Sequence, residues 1–380
     1  MKKKITFLIH DLNSWGGQDK SVLEIIKRLS HSFLIDIHSY TLSERIEGEA
    51  LFCPIKPRVR RPVFLKSMIY YLVTWFRLGP LRRKSPSHRS LIHATGACSW
   101  ISDVIQVQFI HTAWKQERKH LKLTVGWLRG AYQHTLLCFD VWMEKKVYRS
   151  NRAYIAISKS VAADLKKHFG LIHNVSVIHH GVDSTVFKPL STKAETNLRN
   201  ELKINSDDIV ALFVGTYERK GLACSIKALA LLPTHLKNKM ILLAVGDGDQ
   251  KKFEALAQEN GVRDRVRFVS HKKEILSYYQ SSDLFLLPTL YEPFGMVILE
   301  GMSCGLAPIV SKCAGASELI VEGESGLLID DPTSSREVAN QLVKLLSDPV
   351  LRKQMSEAAR KVAERRSWDR VAEEYKDFLL

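Results

Sequence analysis

Two carboxylates eight residues apart, Glu292 and Glu300, enclose the segment Glu-Pro-Phe-Gly-Met-Val-Ile-Leu-Glu. Pro293 presets the backbone and Gly295 permits a close turn, so the amides of Phe294, Gly295 and Met296 are expected to open a helix and face outward beyond a strand end. A helix start of this kind attracts phosphate. Glu292 lies in the loop and Glu300 inside the helix, so each end of the turn offers acceptors for hydroxyl groups. The pattern suits a ligand with a diphosphate in its middle and a polyol on each side, as a nucleotide sugar has. The rival reading is a plain strand, loop and helix whose acids are only solvated.

Cations that would match such a diphosphate stand in Val214-Gly-Thr-Tyr-Glu-Arg-Lys-Gly221, a loop that opens with Gly215 and runs into a further helix. Arg219 brings a forked guanidinium and Lys220 a point ammonium. Gly246 begins a second loop, Gly-Asp-Gly, which reads as close backbone approach to a nucleotide or as an ordinary turn. Gly16 and Gly17 follow the first apolar run, Ile5–Ile9, and read either as a loop facing phosphate or substrate or as a tight turn. Of the fourteen histidines, His93 and His111 are placed near the carboxyl ends of expected strands, Leu91–Gly96 and Asp103–Trp114, where open α/β sheets gather ligands. A structural histidine is an equal reading for each.

Glu292 to Glu300, followed by Gly-x-x-Cys-Gly-Leu-Ala-Pro-Ile-Val, resembles the Glu-x7-Glu motif of retaining GT-B glycosyltransferases of family 4. Ser158-Lys-Ser and Ile178-His-His-Gly-Val-Asp-x-x-x-Phe187 also look like this family. The Arg219-Lys220 pair departs from the commoner spacing and is similar to that of some lipopolysaccharide-core glucosyltransferases. The resemblance implies a GT-B fold: two Rossmann-like, doubly wound parallel-sheet domains facing a cleft, with a C-terminal helix crossing back. It implies that Gly16 and Gly17 face that cleft and that His111 contacts the donor sugar. It further implies that Ser270–Leu276, through His271 and Leu276, meets the base. Glu292 would accept from the sugar hydroxyls and Glu300 from the ribose, with no metal or other cofactor. The implied partners are a nucleoside diphosphate sugar, UDP favoured, and a membrane-associated glycan or glycolipid acceptor. The proton of the acceptor would pass to the departing phosphate oxygen.

The elements that must position these residues are legible as apolar runs. Ile5–Ile9, Phe33–Tyr40, Leu91–Gly96, Asp103–Trp114, Ala153–Ser158 and Val175–Asp183 read as strands of a first domain. Ile209–Gly215, Met240–Gly246, Val266–Phe268, Leu284–Leu287 and Ala307–Ser311 read as strands of a second, alternating with helices as in a doubly wound sheet. The expected division is residues 1–187, residues 188–366, and a terminal amphipathic helix over 367–380 that packs on the first domain.

The 380 residues carry a net charge of +16, and it is unevenly spread. Residues 1–190 hold 30 Lys and Arg against 13 Asp and Glu, leaving 26 and 27 for the rest. Such an asymmetry points to an anionic partner surface: membrane, acceptor or nucleic acid. Met68–Phe76 is far shorter than the ~20 residues a membrane-crossing helix needs. Flanked by Arg58, Arg60, Arg61 and Lys66 before and Arg77, Arg82, Arg83 and Lys84 after, it reads as a helix at an anionic interface or as one packed on the first sheet. Lys115–Arg149 is basic and aromatic, but no nucleic-acid motif accompanies it and aromatics at helical spacing suit a core. Nucleic acid is therefore not an expected partner. Six scattered cysteines without a Cys-x-x-Cys pair read as reduced thiols. Together with Ile5–Ile9, too short for the core of a signal peptide, they favour a cytoplasmic protein at the inner membrane face. Two other readings stay open, a GT-B-like protein that binds sugar nucleotide without transferring it, and an adaptor that uses only the basic half.

Overall fold

The computed structural model describes residues 2–14, 16–57, 62–80, 90–118, 127–149, 151–190, 192–270 and 274–380. The chain forms two compact units, Met1–His180 with Trp368–Leu380, and Gly181–Ser367. The division falls at 180/181 instead of the expected 187/188 because the exit segment is tied to the second unit. Val182 N donates to Arg366 O over 3.0 Å, and Ser303 Oγ donates to Phe187 O over 2.6 Å.

In the first unit the strands are β1 (Lys4–Leu8), β2 (Leu34–Ser39), β3 (Ala50–Pro54), β4 (Leu91–Thr95), β5 (Val104–Val107), β6 (Ala153–Ala156) and β7 (Val175–Val177). The helices between them are α1 (Gly17–Leu29), α2 (Val63–Leu78), α3 (His111–Glu117), α4 (Trp127–Val147) and α5 (Lys159–Phe169). All pairings are parallel in the order β3-β2-β1-β4-β5-β6-β7. Parallel strands need crossovers and are covered on both faces, which is why runs such as Val104–Val107 are buried throughout.

The second unit holds α6 (Thr192–Glu201), β8 (Ile209–Val214), α7 (Leu222–Ala230), α8 (Thr234–Lys237), β9 (Met240–Gly246), α9 (Gln250–Glu259), β10 (Val266–Ser270), α10 (Leu276–Gln280) and β11 (Leu284–Leu287). It continues with α11 (Met296–Ser303), β12 (Ala307–Ser311), β13 (Leu327–Ile329), α12 (Ser335–Ser347) and α13 (Pro349–Arg365). Its sheet is also wholly parallel, in the order β10-β9-β8-β11-β12-β13. The short β3 and β13 were not foreseen. The chain then returns to the first unit as α14 (Trp368–Leu379), where Trp368, Val371 and Tyr375 are buried and Asp369 pairs with Arg28 of α1.

Each sheet reverses its direction of winding once, between β1 and β4 and between β8 and β11. In open α/β sheets the carboxyl ends of the strands at such a switch point are the usual place for a ligand. One expectation is corrected here. The strand drawn through Asp103–Trp114 ends at Val107, and His111–Glu117 is helix. The physical reason is the side chain of Glu144, which accepts from His111 N at 2.6 Å and Thr112 N at 2.9 Å and so satisfies the opening amides of α3.

The helix α2 packs on the first sheet by one face and leaves its other face exposed. Its inner face buries Tyr70, Thr74 and Leu78, with Tyr70 and Leu78 in a cluster with Leu8, Tyr40, Ile55 and Ile92, and the Tyr70 hydroxyl donates to His38 O at 2.6 Å. Its outer face exposes Leu65, Met68, Leu72, Trp75 and Phe76, the last two at 47% and 67%. Arg58, Arg60, Arg61, Arg82, Arg83 and Lys84 lie outside the described residues. Of the aromatics in the basic stretch that follows, Tyr148 is buried but Tyr132 and Trp142 are exposed. No helix among the described residues is long and apolar enough to cross a membrane.

Candidate functional site

Because β8 and β11 are neighbours, the loops after them meet although 72 residues separate Arg219 from Tyr291. Leu290 N donates to Arg219 O at 3.0 Å, and the Arg219 guanidinium donates to Tyr291 O at 2.7 Å, so the two loops are laced together before any charge is considered. Glu292 Oε2 then receives Arg219 Nη1 at 3.1 Å and Lys220 Nζ at 3.2 Å. Burial raises the cost of ionising Glu292, but Lys220 and Arg219 outweigh it and hold the carboxyl below its ordinary range. Glu292 is therefore a charged acceptor, and the two cations are held at a fixed place without salt or solvent having to organise them.

Glycines make this closeness possible at two points. Gly295 sits at φ +92°, a left-handed conformation, and a Cβ there would meet Glu292 Cγ at 3.0 Å. A Cβ on Gly246 would stand 2.0 Å from the Gly215 carbonyl oxygen, so the loops after β8 and β9 touch backbone to backbone. Gly215 in turn lies directly against the aliphatic part of Lys220. The structure thus brings together Gly215, Arg219, Lys220, Gly246, Glu292 and Gly295.

Gly295 caps α11 without a side-chain bond, Phe294 is buried, and Met296 is half-buried as the first residue of the helix. The loop before it is fixed from the far side, since Gly315 N donates to Glu292 O at 3.0 Å and Ala316 N to Phe294 O at 2.8 Å. Glu300, about one turn along α11, is buried and accepts from the Tyr279 hydroxyl at 2.9 Å. Leu276 begins α10, half-buried, and His271 lies outside the described residues.

The remaining candidates belong to the first unit. Gly16 and Gly17 open α1 without a left-handed φ, and nothing within 4 Å would meet a Cβ on Gly17, so no tight turn demands glycine there. Beside them Asp11 pairs with Lys66 of α2 and accepts from Thr41 Oγ1, and Asp19 accepts from Asn13 Nδ2 at 2.6 Å. Burial and the charge of Asp11, against Lys66, push Asp19 up to about 7. His93 is fully buried between β1 and α14, its ring 4.6 Å from that of Phe7 and 6.2 Å from that of Tyr375, and reads as a core residue.

His111 Nδ1 lies 2.9 Å from Glu144 Oε1 and its Nε2 lies 3.7 Å from Asp140 Oδ2. Burial lowers its basicity, but Glu144 and Asp140 together raise it above the ordinary range. Two carboxylates beside the ring favour its protonated form. Glu144, at 1% exposure, was not singled out from the sequence, nor was Asp140. Their spacing of four within a helix, one turn apart on the face toward His111, was the available signal. Tyr279 carried no such signal.

Known proteins were compared with this geometry in hand. The model of the glycosyltransferase family 4 domain matches residues 15–186, and that of glycosyl transferases group 1 matches residues 194–362. An uncharacterized glycosyltransferase of Methanocaldococcus jannaschii, MJ1607, is 31% identical over 296 residues, covering 76% of this chain and 72% of its own. The lipopolysaccharide glucosyltransferase WaaG of Escherichia coli is 32% identical over 182 residues, 48% of this chain, and the match spans about half (49%) of that relative. The crystal structure of a WaaG superposes over 98% of both chains with a TM-score of 0.77 at 21% identity. That of HepE from Anabaena in complex with UDP-glucose superposes over 99% of both chains with a TM-score of 0.72, also at 21% identity. Two parallel sheets, the acid and cation loops at the switch point of the second, and these matches place the chain in the group 1, family 4 glycosyltransferases of GT-B fold.

Proposed function

We propose that the protein is a retaining glycosyltransferase that moves a hexose from a nucleoside diphosphate sugar, UDP-linked by preference, to a membrane-associated glycan or glycolipid such as a lipopolysaccharide core. The observation that carries this reading is the half-buried Arg219–Glu292–Lys220 cluster at the start of α11. A bound diphosphate would share the two cations with Glu292 and meet the opening amides of α11. As the bond from sugar C1 to phosphate oxygen breaks, negative charge grows on the departing diphosphate, and groups already aimed there lower the barrier without reorganising. The acceptor oxygen bonds to C1 on the face being vacated, and its proton goes to the departing phosphate oxygen. In this reading Glu292 accepts from the sugar hydroxyls, Glu300 from the ribose, and His111 contacts the sugar.

Support for the donor class comes from HepE, which is described with UDP-glucose, and support for the acceptor from WaaG, described as involved in lipopolysaccharide biosynthesis. The basic first half and the apolar outer face of α2 support a place at an anionic membrane surface on its cytoplasmic side. Thermal shift against UDP, GDP and ADP sugars tests the donor, and UDP-sugars are expected to give the largest stabilisation. Glu292→Ala is expected to abolish transfer to a lipopolysaccharide-core acceptor while leaving Tm within a few degrees. Full turnover by that variant would sink the assignment.

A further inference from the structure

Tyr279 and Glu300 form a buried pair. The phenol is fully buried and its hydroxyl donates to Glu300 Oε2 over 2.9 Å, while Glu300 is 7% exposed. The ring cannot turn away, because it stacks on Phe285 of β11 with centroids 6.1 Å apart and 28° between planes. Phe187 closes the other side edge-on at 5.8 Å and 84°. Burial and the neighbouring Glu300 carboxylate push the phenol well above its ordinary range, which favours the neutral donor.

Two features make this more than core packing. A carboxylate has two oxygens, and a bond that fixes one of them fixes the plane of both. The bond therefore sets the direction in which the group receives any further hydroxyl. The donor of that bond also belongs to α10, the same short helix that begins with Leu276 at the end of the segment expected to meet the base. A displacement of α10 that altered the base contact would move the phenol, and with it the Glu300 carboxylate on α11.

We infer that Tyr279 is a positioning residue for nucleotide recognition, aiming Glu300 at the ribose hydroxyls so that selection of ribonucleotide over deoxyribonucleotide is a property of the α10–α11 pair. This rests on the proposed role of Glu300 at the ribose. A site built to bond a hydroxyl discriminates against the analogue that lacks it, because that hydrogen bond is then not made.

The test is calorimetric binding of UDP and 2′,3′-dideoxy-UDP to the full chain, with GDP and ADP pairs run in parallel. Wild type is expected to prefer the ribonucleotide by about tenfold or more. Tyr279→Phe keeps the ring and its packing. It is expected to bring the preference below about threefold by weakening the ribonucleotide alone, and to have no further effect on Glu300→Gln. Phe187→Leu leaves the hydroxyl but loosens the ring, and is expected to lower the preference part of the way; it carries the test if Tyr279→Phe does not fold. An undiminished preference in whichever variant folds, or an equal loss for both nucleotides, overturns the inference and leaves Tyr279 a structural residue. Failure of wild type to bind any of the nucleotides overturns instead the proposed function beneath it.

Discussion

At the scale of single residues, the decisive fact is that Glu292 is not solvated but shares one oxygen between Arg219 and Lys220. Arg219 keeps about a quarter of its side chain exposed, so solvent compensates part of the charge left when one partner is removed, and the loss of stability is expected to stay at about 1 kcal/mol. Asp19 shows the opposite balance. Its folded pKa is pushed up to about 7, well above that of an ordinary aspartate, mainly through burial and then through Asp11. A carboxyl whose folded pKa is raised contributes stability that is complete at acid pH and is lost as pH rises through the folded value. Asp19→Asn is therefore expected to raise Tm more at pH 8 than at pH 5, by thermal denaturation followed with circular dichroism. An equal gain at both pH values would show that Asp19 is not strained by ionisation.

At the scale of elements, α2 carries two apolar faces, and among the described residues only one of them has a partner within the unit. Its sixteen residues hold just two charges, Lys66 and Arg77, and both are engaged, Lys66 with Asp11 and Arg77 Nη1 with Pro54 O at 3.1 Å. The outer face is left to Leu65, Met68, Leu72, Trp75 and Phe76, and Trp and Phe are the side chains that settle at the headgroup boundary of a bilayer. Changing Leu72, Trp75 and Phe76 together to Ser should cut binding to anionic vesicles by about tenfold or more, each half-exposed apolar side chain being worth roughly 1 kcal/mol at the interface. Since none of the three is buried, Tm should stay nearly constant, and flotation read beside Tm separates lost docking from lost folding. Unchanged flotation would assign the face to some other partner.

At the scale of the whole molecule, charge is divided between the halves of the chain: residues 1–190 carry 30 basic against 13 acidic side chains and the remainder is near balance. A surface attraction of that origin is screened within about 10 Å at 0.1 M salt. Association of the full chain with anionic vesicles is therefore expected to fall steeply as salt is raised from about 0.05 to 0.5 M, and neutral vesicles should bind weakly at every salt. Flotation that ignores both lipid charge and salt would leave the apolar face of α2 as the sole attachment.

Much of the molecule was determined by sequence alone. Most strands are short apolar runs because a parallel sheet is covered on both faces, and ten of the eleven expected strands stand at or near their places, though β7 at the sheet edge is not buried. The strand drawn to Trp114 was too long, because what ends it is a carboxylate that arrives from Glu144, beyond any local window. The Glu292–Glu300 turn was legible because its helix start, its left-handed Gly295 and its two acids are neighbours in the chain. What only the tertiary structure decided is pairing at a distance: the order β9-β8-β11-β12, which lays Arg219 and Lys220 on Glu292, the ring of Tyr279 against Glu300, and the choice of which face of α2 is buried. Periodicity and propensity act over a few residues, whereas strand order sets which loops become neighbours, and a hydrogen bond between side chains leaves no mark on either sequence alone.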